Sequence, residues 1–221
     1  MKTKQTGFTL VEIAIVLVII GLLLGGILKG QEMITQAKIK NVVNDFNGIT
    51  AAVNSYQDRY RALPGDDLGA ATRWASSNAV SGNGNGQFSG LYNNTLAATP
   101  TAAQESNLFW WHLRLAGFVA GPTAAGAAAG QQPNNAVNGI LGVETGVNAA
   151  SGLGFTSNIV CSSNMPDKIA TAVDTQMDDG TPNSGQVRGQ LQTAPNPGTA
   201  ATGAASYLET GTNQYLLCKN L

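Results

Sequence analysis

Charge is scarce in this chain. Asp, Glu, Lys and Arg together supply 11% of 221 residues, at a formal net charge of −1. With no concentration of Lys or Arg to neutralise phosphates, a nucleic-acid partner is not expected. Histidine occurs once, at His112, so a multi-histidine metal set is excluded, and any serine nucleophile would have to recruit that one imidazole as its base. No G-x-S-x-G elbow, phosphate-binding glycine loop or H-E-x-x-H motif is present, so the chain is read as a non-enzyme with no cofactor. Cysteine is limited to Cys161 and Cys218, a spacing unlike a metal knuckle or a redox C-x-x-C pair. Proline is absent from Phe8 to Leu63, which leaves room for one long helix.

Against this sparse background the amino terminus stands out. Residues Lys2 to Leu28 read K-T-K-Q-T-G-F-T-L-V-E-I-A-I-V-L-V-I-I-G-L-L-L-G-G-I-L. From Phe8 to Leu28 the run is long enough to cross a bilayer as a helix, which takes roughly 20 residues. Its one acidic side chain is Glu12. A carboxylate at the centre of a span costs roughly 2.5 to 3.5 kcal/mol on insertion scales, so it calls for a function and a partner. Lys2 and Lys4 precede the run, favouring a cytoplasmic amino terminus with the bulk of the chain outside. In an exported domain an even cysteine count favours a Cys161–Cys218 disulfide over two unpaired buried thiols. Closing that loop is worth roughly 4 kcal/mol in the chain-entropy model.

Downstream, Ile39, Val42, Phe46, Ile49, Val53, Tyr56 and Tyr60 recur in alternating steps of three and four. This is one stripe of a helix, packing on the chain's own domain or forming a short coiled-coil seam. Span and stripe join into a helix from Phe8 to Leu63, stopped by Pro64-Gly65. Gly21, Gly25, Gly26 and Gly30 interrupt its first half. Each costs about 1 kcal/mol of helix propensity, and the cluster is either a close-packing face or a place where the helix opens.

Beyond Pro64, Ala75 to Gly90 reads as a loop and Glu105 to Ala116 as a helix ended by Gly117. Leu108, Trp111, His112 and Leu115 share one face of that helix, with Trp74 and Trp110 as further core candidates. Ala120 to Gly154 reads as a long surface excursion. Ser157 to Cys161 is strand-like, Pro166 to Asp179 a helix with Pro166 in its first turn and Gly180 past its end. Gly185 to Leu191, Ser206 to Leu208 and Thr212 to Cys218 complete the strands. The expected fold is α+β, a long helix packed on a small antiparallel sheet.

Two polar clusters raise the question of a cation. G-N-G-N-G-Q places oxygens at Asn83, Asn85 and Gln87, to which Asp66, Asp67 or Glu105 would have to add the carboxylates that calcium requires. A plain glycine-asparagine turn explains it more simply. Asp174, Asp178 and Asp179 form the second cluster, read more simply as a polar helix end. His112, on an aromatic helix, is read as a core or interface residue.

The stretch K-T-K-Q-T-G-F-T-L-V-E followed by I-A-I-V-L-V-I-I-G-L-L resembles the signal of type IV prepilins and of type II secretion pseudopilins. The resemblance implies a leader at 1–7, cleavage between Gly7 and Phe8 by a prepilin peptidase on the cytoplasmic side, and N-methylation of Phe8. It implies a filament-core helix at 8–30, an amphipathic continuation at 31–63 and a pilin-like exported domain at 64–221. Removal of the leader with Lys2 and Lys4 would take the side-chain charge from −1 to −3. Phe8 and Glu12 lie on one helix face, so the methylated amine and Glu12 pair within one subunit or between neighbours. The blocks L-P-G-D-D, G-N-G-N-G-Q-F, F-W-W-H-L-R-L-A-G-F and D-T-Q-M-D-D-G-T-P-N-S-G-Q-V resemble the same broad group more loosely.

The implied partners are further copies of the chain, the peptidase and methyltransferase, the assembly machinery and the inner membrane. The implied location is the inner membrane, then a periplasmic pseudopilus or an extracellular pilus. A secretory signal peptide ending at Gly25-Gly26, a plain membrane anchor, and a tethered binding module using the Ala120 to Gly154 loops are the competing readings.

Overall fold

The computed structural model describes residues 9–146 and 151–221. Four helices, α1 (Leu10–Tyr60), α2 (Ala70–Arg73), α3 (Glu105–Leu115) and α4 (Asp167–Met177), accompany four strands. The strands are β1 (Leu141–Thr145), β2 (Asn158–Pro166), β3 (Val187–Leu191) and β4 (Gln214–Asn220). The chain divides into two compact units at Lys38/Ile39. The expected α+β architecture, a long apolar amino-terminal helix and a small antiparallel sheet, is present.

In the first unit, α1 exposes an almost unbroken apolar surface. Leu10 is 91% exposed, and every large side chain from Val11 to Leu28 lies open as well. Among the described residues this is the one helix long and apolar enough to cross a membrane.

In the second unit, Ile39, Val42, Phe46, Ile49, Val53 and Tyr56 are all buried, so the stripe is a packing face. Tyr60 at its end is half-buried. The helix stops at Tyr60, short of Leu63, because Arg61 turns into the left-handed region at φ 53°. The Tyr56 hydroxyl donates to Asp67, which also accepts from Arg73 at 2.5 Å. Burial pushes against ionisation of Asp67, yet Arg73, the Tyr56 hydroxyl and the Gly69 N–H together hold its carboxyl below the usual range.

The sheet runs β1-β2-β4-β3, antiparallel throughout. Its two central strands are buried on both faces. Val160, Tyr215 and Leu217 join the main core with the α1 stripe, Phe109, Trp110 and Ile169. Ile159, Cys161, Leu216 and Cys218 point the other way, to a smaller cluster closed by Tyr92, Leu153 and Phe155. This alternation is the period of two of a strand, with both phases apolar. Cys161 and Cys218 are directly opposite in the β2–β4 register and form the disulfide.

Three further expectations need correction. The Ala120 to Gly154 segment contains β1, whose first four residues are buried, so it is not a surface excursion throughout. Gly142 hides the strand signal, and its missing side chain is what admits the Tyr92 carbonyl, 2.0 Å from where a Cβ would stand. The segment is also tied inward at 128–131, where the buried Arg114 guanidinium donates to the Ala128, Ala129 and Gln131 carbonyls. Ser206 to Leu208 is not a strand. Tyr207 reaches Asp174 with its hydroxyl, and the Leu208 N–H donates to the Tyr215 hydroxyl. Pro166 closes β2 instead of opening the helix, which starts at Asp167. The expected face of α3 is present, with Leu108, Trp111 and Leu115 together beside Trp74, and the helix is buried from Glu105 to Arg114 on its other sides as well. Its Leu108 and Trp111 face a separate cluster with Ala79 and Ala129 while Phe109, Trp110 and Leu113 face the main core.

Candidate functional site: the capped amino-terminal helix

The described chain begins at Thr9, and α1 starts one residue later. Gly7 and Phe8, the expected cleavage and methylation residues, lie outside the described residues. Thr9 and Glu12 close the helix end reciprocally. The Thr9 N–H and hydroxyl both donate to Glu12 Oε2 at 2.8 Å, while the Glu12 N–H donates to the Thr9 Oγ1 at 3.3 Å. This is a capping box, spelled T-L-V-E in the sequence. The role of Thr9 is legible in that spacing, which gives Glu12 a partner in addition to the expected Phe8 amine.

Among the described residues no bond reaches Glu12 Oε1, so half of the carboxylate remains for a second donor. Along the helix, Val11, Ala14, Ile15, Val18 and Ile19 make one continuous apolar strip. At Gly21, Gly25, Gly26 and Gly30 nothing described lies within 4 Å of an added Cβ. A side chain at any of these positions would meet no described neighbour. Lys29 and Glu32 form an exposed ion pair past the apolar run, worth at most about 0.5 kcal/mol.

The remaining candidates resolve into packing. His112 accepts from the Gly65 N–H at Nδ1, 2.9 Å, so its proton sits on Nε2, which faces the Val80 carbonyl at 2.8 Å. Both nitrogens are satisfied and the ring stacks on Tyr56. Burial holds its pKa down at about 4, so it is neutral and structural.

The glycine-asparagine loop does recruit carboxylates, but with the polarity opposite to that of a calcium loop. Asp66 accepts backbone N–H groups from Gly84, Asn85 and Gly86, and Glu105 accepts from Asn83 and Ser89. Asn83 and Asn85 turn their own oxygens onto the N–H two residues on. These carboxylates are therefore occupied by amides.

Asp174, Asp178 and Asp179 come within 4.8 Å of one another. All three accept hydrogen bonds from within the fold, Asp178 through Oδ2 alone. Asp174 accepts from the Gly180 N–H and the Tyr207 hydroxyl, Asp178 from the Gln186 and Val187 N–H groups, Asp179 from Thr181 and Ser184. Burial, with Asp179 and Asp178 adding repulsion, pushes the Asp174 pKa up to about 6.

His112 and Asp174 give stability two opposing pH dependences. Between about pH 6.5 and 4 the unfolded imidazole takes a proton that the folded one refuses, so this contribution is lost on acidification. Between about pH 6 and 3.8 the folded Asp174 holds a proton that the unfolded one has released, so this contribution grows on acidification. Each is worth on the order of 2 kcal/mol, and they largely cancel. Melting curves should therefore show Asp174→Asn losing more stability than the parent from pH 6.5 to 4, and His112→Asn losing less. Parallel profiles for all three proteins would contradict the assignment.

Residues 2–28 match the family described as a prokaryotic N-terminal methylation motif, the prepilin-type signal of type IV pilins and pseudopilins. That motif is a structural one and belongs to no enzyme family. Comparison with curated proteins and with solved structures returns no match.

Proposed function

We propose that this chain is a structural subunit of a type IV pilus-like filament, made as a membrane-held precursor, cleaved between Gly7 and Phe8, N-methylated on Phe8 and assembled through α1. The methylation motif supports a type IV pilin-like or pseudopilin-like protein. The observation that carries the finer reading is an apolar helix surface, open from Leu10 to Leu28, that starts at a half-committed carboxylate.

In the precursor, Glu12 Oε2 holds the helix cap through Thr9. Cleavage creates an ammonium on Phe8, four residues before Glu12, and methylation leaves it cationic. Glu12 Oε1 then receives that amine, from its own chain or from a neighbour. Such pairing in low dielectric offsets part of the cost of burying the carboxylate and sets subunit register. The apolar strip supplies the packing surface, first within the inner membrane and then helix against helix. The partners in this reading are further copies, the peptidase and methyltransferase, and the assembly machinery. The destination is a periplasmic pseudopilus or a surface pilus.

Cap and charge separate by mutation. Glu12→Gln keeps an oxygen for the Thr9 N–H but cannot pair with the amine, whereas Glu12→Ala loses both. Both variants should be processed normally yet yield roughly tenfold less filament, the factor equivalent to about 1.4 kcal/mol per added subunit. The measurement is immunoblotting and electron microscopy of sheared cell-surface or periplasmic filaments. Normal filament yield from Glu12→Gln would show that the cap, not the charge, is what assembly needs. Absence of filaments containing the parent chain would favour a non-polymerising tethered module.

A further inference from the structure

The sequence contains four Asn–Gly steps, at Asn47–Gly48, Asn83–Gly84, Asn85–Gly86 and Asn138–Gly139. Asn–Gly is the dipeptide most prone to spontaneous loss of ammonia, because glycine has no side chain to shield its amide nitrogen. That nitrogen attacks Cγ of the preceding asparagine. A new N–Cγ bond closes a succinimide, and the side-chain amide leaves as ammonia carrying the glycine proton. Water then opens the ring at either carbonyl, giving aspartate or isoaspartate.

Two of these steps are consecutive, in a loop whose residues from 83 to 87 are exposed to water. They have every local reason to react. Yet both attacking nitrogens are committed to one buried carboxylate. The Gly84 N–H donates to Asp66 Oδ1 at 2.5 Å and the Gly86 N–H to Asp66 Oδ2 at 2.6 Å. Asp66 is 5% exposed and lies beside the left-handed turn at Gly65. The asparagine side chains are held as well, Asn83 Oδ1 by the Asn85 N–H and Asn85 Oδ1 by the Gln87 N–H.

We infer that Asp66 is a positioning residue that guards Asn83 and Asn85 against deamidation. Its negative charge beside each glycine nitrogen opposes loss of the proton that the attack requires, since like charge disfavours the anionic form. Ring closure would also have to break one of these two charge-assisted bonds. The other steps are protected differently. Gly48 sits inside α1, and the Gly139 N–H donates to a neutral acceptor, Asn135 Oδ1. Deamidation at 83 or 85 would set new carboxylates against Asp66, and their repulsion would open the turn further. The loop is thus a site of covalent ageing that stays silent while Asp66 holds it.

The test is peptide mapping by mass spectrometry, resolving isoaspartate, of the full-length chain in detergent at mildly alkaline pH. Folded parent protein is compared with urea-unfolded parent and with folded Asp66→Asn. Asn83 and Asn85 should deamidate at least roughly tenfold more slowly in the folded parent than in the unfolded chain, the factor one charge-assisted hydrogen bond provides. Asp66→Asn should raise the rate at both while Asn138 and Asn47 keep theirs. Equal rates at Asn83 and Asn85 in folded and unfolded parent would overturn the proposal. So would Asp66→Asn rates that are unchanged, lowered, or raised equally at all four steps.

Discussion

Replacing Cys161 and Cys218 together by serine is expected to lower the stability of the compact unit 39–221 by about 4 kcal/mol, or roughly 10 °C in melting temperature. The bridge spans 57 positions in sequence, and a loop of that length carries most of the entropy a cross-link removes from the unfolded chain. Position adds to the effect. Both residues are fully buried in the cluster of Ile159, Leu216 and Phe155, where two serine hydroxyls would stand in apolar surroundings. The bridge also joins the two central strands, and β4 lies between β2 and β3. Loss of β4 would uncouple β3 from the sheet. Urea unfolding of the double variant and of the parent, with and without reductant, measures this. A loss below about 1 kcal/mol would mean that strand pairing alone holds the carboxyl terminus.

The second large effect concerns the proposed cleavage after Gly7. Gly7→Leu is expected to reduce processing by roughly a hundredfold, so that uncut chain accumulates in the membrane. A residue without a side chain leaves the scissile bond open to approach, and a misplacement of about 1 Å can cost a factor of that order. Folding of the compact unit that begins at Ile39 should be unaffected. Uncut chain and a chain cut at the proposed site would differ by seven residues and separate on a gel. Efficient cleavage of Gly7→Leu would place the cut elsewhere.

The elements that were legible in the sequence share a physical property, an apolar pattern with a clear period. The α1 stripe announced itself through steps of three and four, and its residues are the packing face. Ile159 to Cys161 and Tyr215 to Cys218 read as strands because both faces are buried, so every position is apolar. β1 did not announce itself, since Gly142 and the buried Glu144 dilute the pattern. Glu144 is tolerated because the Tyr92 N–H and the Thr199 hydroxyl satisfy it, and burial pushes its pKa up. Ser206 to Leu208 misled for the converse reason. Tyr207 packs edge-on against Tyr215 with its hydroxyl on Asp174, and Leu208 is 54% exposed.

The polar sites divide in the same way. That Asp66 and Glu105 meet the asparagine loop was foreseeable as a need for carboxylates. That they would hold amides instead of a cation depended on which way the backbone faces, which composition does not encode. At the amino terminus the apolar length, the lone carboxylate and the glycine before phenylalanine were all visible. The cap formed by Thr9 was written there too, in the T-L-V-E spacing beside the Phe8–Glu12 pair.

The central claim is that Glu12 meets an amine created by cutting after Gly7. Mass spectrometry of the amino-terminal peptide from chain recovered in filaments or membranes tests it most directly. The account predicts a peptide that lacks residues 1–7 and begins with N-methylated Phe8. A peptide beginning at Met1, at an unmethylated residue, or after Gly26 would contradict it.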